Sequence, residues 1–465
     1  MENSIFSQVP SDVLGEIFVH CLPGFPSFSS TDAPLALTQV CRAWRTTALE
    51  SVGLWKDIRI PRWQRIPKNT EELVRLWIER SASAYVTVDL GLFDQNIQIM
   101  PEAAELERLH EFLNNILNIL APHRGRILSF RGVLPEYMLP NIGLDDMTKV
   151  ERLFICGTMM DMDDDDPRMR TEHVLTIGPV RQKLKSLAIC GITLDLQSVF
   201  NHTQITYIEL VDLRGTGQLG ERTALEILKA MPLLHSVVLD VTIFERDFIQ
   251  EEGRYVLQNL ELLFLTWTFP ADIAHVLDSI ATPSLVKLGL RGTPLAIEEQ
   301  WPNLHTFLLA SQAPINRLSI GDFGEVDFLL VPCLQCCPNL NHLTINHCDI
   351  SDLSLRELTP TEDTAVLSIV PQLKILNLGV CDGFTPEVFV DFLKSRSSVA
   401  PEGISKLSEL GVLYCIKVSE AFREEIESCG IEEVTLETME VGAVLPYARV
   451  IETHQELLAL LFHPS

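Results

Sequence analysis

Two hydrophobic rhythms run along the chain. Over the first sixty residues apolar positions return at helical spacing. Val13, Leu14, Ile17, Phe18, Cys21 and Leu22 form one stripe behind Pro10-Ser11-Asp12. Pro10 suits first-turn geometry and Asp12 suits the positive end of the helix dipole. Pro, Gly and Ser in quick succession make Pro23 to Ser30 a loop. A second helix is expected after Asp32-Ala33-Pro34, with Leu37, Val40, Cys41, Trp44 and Ala48 on one face, before a strand-like Asp57-Ile58-Arg59-Ile60. From about residue 150 the rhythm changes to apolar residues at plus two, plus five and plus seven from a proline. Pro232, Pro283, Pro302, Pro338 and Pro371 open such sets: Leu234-Val237-Leu239, Leu285-Leu288-Leu290, Leu304-Phe307-Leu309, Leu340-Leu343-Ile345 and Leu373-Leu376-Leu378. Copies without the proline begin at Leu184, Ile205, Leu260, Leu407 and Ile431.

Each Leu-x-x-Leu-x-Leu predicts a short strand whose alternate residues point inward. Amphipathic helices are expected between strands, as at Ile273-Val276-Leu277-Ile280 and Val388-Phe389-Phe392-Leu393. Proline ends each helix and turns the chain into the next strand. Most starts fall 20 to 35 residues apart, although the step from Leu304 to Ile315 is too short for a full unit and marks an irregular turn. This spacing resembles that of leucine-rich repeats, whose units stack because none can bury its apolar side alone. Cys348, Cys381 and Cys415 each stand eight residues after the first Leu of their set, where such repeats place Asn or Cys to serve a buried turn. From about 61 to 150 the pattern is looser: Tyr85-Val88-Leu90 and, at its end, Val150-Leu153-Ile155 read as degenerate strands, and Leu106 to Leu120 as a long helix. The expected architecture is α/β, with a helical module over 1–60, an irregular linking region over 61–149, a repeat solenoid over 150–446 and a helical tail over 447–465.

The N-terminal module resembles a known family. Val9-Pro10-Ser11-Asp12-Val13-Leu14-Gly15-Glu16-Ile17-Phe18, then Leu37-Thr38-Gln39-Val40-Cys41-Arg42-Ala43-Trp44, is similar to an F-box. The long interhelical loop and the closing Leu54-Trp55-Lys56-Asp57-Ile58 resemble the F-box proteins of mushroom-forming fungi. Val9 stands where that family usually has Leu, and Pro23 to Ala33 is an insertion. In the family this module binds a Skp-type adaptor, which tethers a cullin-based ubiquitin ligase. Carried over by position, the resemblance implies that Pro10, Leu14, Ile17, Phe18, Val40, Cys41 and Trp44 make or support the adaptor contact. The competing reading of these residues is the core of a small helical cap. Leucine-rich bodies with cysteine in the turn are common behind F-boxes, so the two resemblances reinforce each other.

Composition narrows the partners. A chain of 465 residues suits one small domain plus an array, or two to three globular domains, and 46% hydrophobic with 21% charged residues marks a folded protein. Sixty-three acidic against thirty-six basic residues give a net charge of −27, which argues against nucleic acid or an anionic membrane as main partner. Met1 to Pro10 carries no basic residue and no sustained apolar run, so no export signal is expected. The eleven cysteines are then expected as reduced thiols in the cytoplasm or nucleus, and the sequon at Asn201 as unused.

Hidden chemistry is sparse. Asp161 to Asp166 with Glu172 places acids at positions 1, 3, 5 and 12 of a calcium loop, but Asp166 replaces the needed Gly and Pro167 follows. It reads as a solvated acidic insertion. Cys333-x-x-Cys336 with His342 and His347 has zinc-like residue types, but the gap between the pairs is five residues, well below a finger's. No phosphate loop, HExxH or nucleophile elbow is present, and no cofactor is expected.

These features predict a non-catalytic adaptor: the module docks the Skp-type adaptor and, through it, a cullin, while the array holds a target protein near the ubiquitin-charged machinery. Target contacts are expected on the concave strand face, between the inward leucines, at Glu209, Asp240, Phe264, Thr266, Arg291 and Asn346, with Trp267 the leading aromatic. A basic patch there would point to a phosphorylated target, but none is legible in one dimension. The alternatives are a repeat scaffold without a ligase role and an enzyme on a solenoid. A receptor ectodomain is disfavoured by the absent export signal and membrane span.

Overall fold

The computed structural model describes residues 9–23, 28–60, 66–91, 103–157, 173–178, 183–215, 218–243, 253–267, 270–292, 303–360, 369–381, 383–397, 400–401, 403–415 and 420–437. The expected tail over 447–465 and the acidic insertion at 161–166 lie outside them. The fold is α/β and divides into two compact units, Met1–Gly217 and Gln218–Ser465. No helix among the described residues is long and apolar enough to cross a membrane.

The first unit opens with α1 (Ser11–His20), α2 (Leu37–Val40) and α3 (Arg42–Glu50). The single second helix expected from the pattern is two. Cys41 adopts an extended backbone (φ −157°, ψ 174°), breaks the run, and accepts a bond from the Trp44 amide on Sγ at 3.5 Å as the N-cap of α3. A 3₁₀ turn over Val52–Trp55 leads to β1 (Asp57–Arg59), followed by α4 (Thr70–Arg80), β2 (Val86–Leu90), α5 (Ala103–Leu120), β3 (Ile127–Leu134), α6 (Leu139–Ile142), β4 (Arg152–Gly157), β5 (Ser186–Cys190), α7 (Leu196–Val199) and β6 (Tyr207–Val211). The six strands pair in chain order, all parallel, with Val88, Phe130, Leu153, Leu187 and Ile208 in one buried row. The region read as an irregular link therefore supplies β2 and β3, full members of the sheet, and β1 at the end of the helical module pairs with β2. An aromatic cluster anchors the helices to this sheet. Trp55 packs edge-on to Trp77 at 4.8 Å, Phe28 caps Trp77 at 4.9 Å, and the Trp55 indole donates to the Ala48 carbonyl at 2.9 Å.

The second unit contains β7 (Leu219–Gly220), α8 (Glu221–Ala230), β8 (Ser236–Ile243), β9 (Tyr255–Val256), β10 (Leu262–Trp267), α9 (Pro270–Ser279), β11 (Ile280–Ala281), β12 (Lys287–Arg291), α10 (Leu304–Ser311), β13 (Arg317–Glu325), α11 (Asp327–Gln335), β14 (His342–Asp349), α12 (Asp352–Leu358), β15 (Ile375–Gly379), α13 (Pro386–Ser395), β16 (Glu409–Leu413), α14 (Glu420–Glu427) and β17 (Glu433–Glu437). Strands β8, β10 and β12 to β17 are parallel neighbours in that order, β7 adds to β8, and β9 pairs with β11 apart. Parallel neighbours need crossover connections, which the helices provide. The register stacks the second leucines of each set, Val237-Leu263-Leu288-Leu318-Leu343-Leu376-Leu410, and the third likewise from Leu239 to Val412. None of these is more than 3% exposed, and burying each contributes about 1.5–3 kcal/mol.

One set departs from the expectation. Leu304-Phe307-Leu309 is not a strand but part of α10, with Leu304, Phe307, Leu308 and Ser311 buried and Leu309 53% exposed. The first two positions of Leu-x-x-Leu-x-Leu are also helical neighbours, and Leu308 with Ser311 completes the helical face. The strand of that unit is β13, led by Ile315, which removes the short step. The cysteine column holds: Cys348, Cys381 and Cys415 are at most 1% exposed, and the Cys381 amide donates to the Cys415 sulfur at 3.4 Å. Cys348 Sγ donates to the Asn346 carbonyl at 3.1 Å, and Cys381 Sγ to that of Gly379 at 3.3 Å, closing the turns after the strands.

Candidate functional site: two surfaces

The N-terminal helices split the expected contact residues into two sets. Leu14 and Phe18, one turn apart on α1, face inward at 4% and 0% exposure, and the Phe18 ring packs tilted against that of Trp44, with centroids 4.8 Å apart. Leu14 and Phe18 are thus core residues, placed to support the outer face from behind. Val13 and Ile17, also one turn apart, stand outward at 46% each, and Val40 at the end of α2 at 60%. Pro10 and Cys41 are exposed and Trp44 is half-buried. Pro10 acts locally as well, its carbonyl accepting the Leu14 amide at 2.9 Å. At Gly15 the α1 backbone meets the chain after α3 so closely that a Cβ would lie 2.7 Å from Ser51 Oγ. The module therefore has a filled core and an outer face carrying three exposed aliphatics. Val13 was not among the residues carried over by the resemblance.

The second surface is the strand face opposite the leucine ladders. Glu209, on β6 of the first unit, is half-buried and accepts the Tyr207 hydroxyl at 2.5 Å. Burial raises its carboxyl above the usual range, against the lowering effect of that bond. In the second unit Asp240, Thr266, Arg291 and Asn346 fall in one register row with Gly321 and Gly379. Thr266 Oγ1 donates to Asp240 at 2.7 Å, and both are half-buried. Phe264, Trp267, Arg291 and Asn346 are buried instead of projecting, at 1%, 1%, 8% and 5% exposure. The reason is a pairing of large with absent side chains across strands. Phe264 lies over Gly289, where a Cβ would come within 2.1 Å of its ring, and Asn346 lies over Gly379 in the same way. Asn377 covers Gly411, and the Arg291 stem passes over Gly321. Trp267 packs edge-on to Phe323 at 4.9 Å. Arg291 Nε donates to Asp322 Oδ2 at 2.8 Å in a pair whose side chains are 10% and 1% exposed.

Sequence reasoning missed a row on this face. Lys287, Arg317 and His342 are register neighbours on β12, β13 and β14. Lys287 and Arg317 are half-buried, while His342 is 5% exposed and holds Thr344 Oγ1 at 3.2 Å and Asn377 Nδ2 at 3.3 Å on Nε2. Burial, then the charges of Arg317 and Lys287, push the His342 imidazole down to about 4. Burial also lowers His347, with Asp322 pulling it up and Arg291 down. The signal was present: all three of the row stand two residues after the first apolar residue of their units, Leu285, Ile315 and Leu340.

Cys333 lies on α11 and Cys336 is its C-cap residue, His342 and His347 lie on β14, and among the described residues no group of three or more His, Cys, Asp or Glu is placed to hold a metal ion. Burial raises the thiols of Cys333, to about 12, and of Cys336. A groove of about 530 Å³ between α10 and α11, lined by Leu308, Leu309, Pro332 and Cys336 among others, lies on the helical layer. The chain matches no protein-family model and no curated protein.

Proposed function

We propose that this chain is a target-recognition subunit of a Skp–cullin–F-box ubiquitin ligase, docking the adaptor through its first helices and a target protein through its repeat array. The observation that carries the reading is the outer face of the helical module. A polypeptide this short has little core to spend, yet Val13, Ile17 and Val40 stay in solvent beside a core already closed by Leu14, Phe18 and Trp55. Exposed aliphatics on so small a module fit a partner's apolar groove. The F-box-like residues and the repeats behind them support the same reading.

The test is co-expression with a fungal Skp-type adaptor and size-exclusion chromatography. The natural chain co-elutes with the adaptor, and Ile17→Glu/Val40→Glu does not, while its melting temperature stays that of the natural chain. Leu14→Ala is a poor probe, because emptying a buried position costs about 2–5 kcal/mol of stability whatever the partner. A folded natural chain that never co-elutes, or a double variant that still does, overturns the reading. Recovery of a cullin with the complex separates a ligase subunit from a scaffold that merely shares the adaptor.

A further inference from the structure

Eleven cysteines are scattered along the chain, and folding sets two of them side by side in the first unit. Cys156 on β4 and Cys190 on β5 are register partners in neighbouring parallel strands. Period-two alternation puts both on the polar strand face, on the side away from Ile155 and Ile189. The Cys190 thiol hydrogen-bonds that of Cys156, and Cys156 Sγ donates in turn to the Gly157 carbonyl at 3.5 Å. Val133 on β3 and Val211 on β6 continue the row on either side. Cys156 is 5% exposed and Cys190 is half-buried, so a small reagent reaches the pair through Cys190. The column of Cys348, Cys381 and Cys415 differs. Each of these is at most 1% exposed and turns its sulfur to a backbone carbonyl.

We infer that Cys156 and Cys190 are a modification site, at which a hydroperoxide oxidises the two thiols to a reversible disulfide between β4 and β5. Neighbouring strands lie about 4.8 Å apart, within the roughly 4.4–6.8 Å between Cα atoms that a disulfide spans. Side chains projecting in parallel keep their Cβ atoms about as far apart, wider than the roughly 3.5–4.5 Å of a relaxed bridge. The bridge is therefore strained, and strained disulfides are the readily reduced ones. In the first step the Cys190 sulfur, as thiolate, attacks a peroxide oxygen. The O–O bond breaks, and the leaving oxygen takes a proton and departs as water or alcohol. The Cys156 thiolate then attacks the sulfenic sulfur of Cys190, and the S–O bond breaks to release water. The two sulfurs together lose two electrons, which reduce the hydroperoxide. The bond from Cys156, burial, and the charges of Asp212 and Glu209 all push the Cys190 thiol up, so oxidation is slow and needs a sustained supply of hydroperoxide. The inference does not depend on the ligase reading.

The experiment treats the reduced full chain with hydrogen peroxide, then blocks the remaining thiols with N-ethylmaleimide in urea. The digest is mapped by mass spectrometry with and without dithiothreitol. The expected result is a peptide pair joined through Cys156 and Cys190 as the dominant cross-link, with both residues lost from labelling. Reduced glutathione added to the folded chain restores both labels. Cys156→Ser removes the cross-link and leaves Cys190 as a sulfenic acid that dimedone traps. Oxidation in concentrated urea scatters the pairing over other cysteines, because the register that selects the pair is gone. The natural chain carries the decision, so a variant that folds poorly does not spare the inference. Absence of the cross-link while the exposed Cys21 and Cys41 are oxidised overturns it, as does a dominant bridge to any other cysteine. A bridge that glutathione opens only after unfolding overturns the reversible assignment.

Discussion

His342 sits in the polar row between burial and two cations, and both keep it neutral. An unfolded histidine titrates near 6.5, while this one titrates at about 4, so the unfolded chain takes up the proton first as pH falls. Stability from this residue is complete above about pH 6.5 and declines toward pH 4, by up to about 3 kcal/mol. Urea titrations at pH 7 and pH 5 of the natural chain and His342→Gln check this. The natural chain loses about 2 kcal/mol more between the two pH values than the variant. Equal losses would mean that the imidazole titrates normally. Arg396 shows the same economy of buried polar groups. It is fully buried, donates to the carbonyls of Val370, Leu358 and Ile369 at 3.0–3.2 Å, and is lowered by burial to about 10.

Strands on the polar face interlock by omission. Phe264 occupies the space that a side chain at position 289 would need, and a methyl group there meets ring carbons at 2.1 and 2.6 Å. Gly289→Ala is expected to cost about 1–3 kcal/mol by overpacking, read from the urea midpoint. Phe264→Leu alone also destabilises, but Gly289→Ala costs less in that background, because the obstructing ring is gone. Additive effects in the double variant would show that the two positions do not interact. The helix α10 carries the opposite lesson about local pattern. Its Leu304 and Phe307 fit a strand template until Leu308 and Ser311 are counted, and burial on a helical face decides.

At the scale of the whole molecule the net charge of −27 dominates the electrostatics. The ion pairs described are few and mostly part-exposed, such as Lys185–Glu151 at 2.9 Å and Arg131–Asp89 at 3.5 Å, and pairs of that kind contribute little. Self-repulsion should therefore outweigh local attraction. The urea midpoint is expected to rise between about 0.05 and about 0.5 M NaCl, as screening relieves the repulsion. A fall over the same range would show that attractive pairs hold the fold.

By itself the sequence determined the α/β class, the stacked leucine ladders and the cysteine turns, because period and spacing act locally and repeat. It also determined where the first helix begins. Only tertiary packing decided which of its apolar residues face out, since Val13, Leu14, Ile17 and Phe18 share one stripe and the core covers Leu14 and Phe18 alone. The break at Cys41 depends on a bond to the Trp44 amide that no period announces. Phe264, Arg291 and Asn346, chosen from the pattern as outward, are buried because glycines on neighbouring strands let them lie down, a property of register across about 25–35 residues. The same register brings Lys287, Arg317 and His342 side by side. In one dimension they are three separate residues; in the sheet they are adjacent.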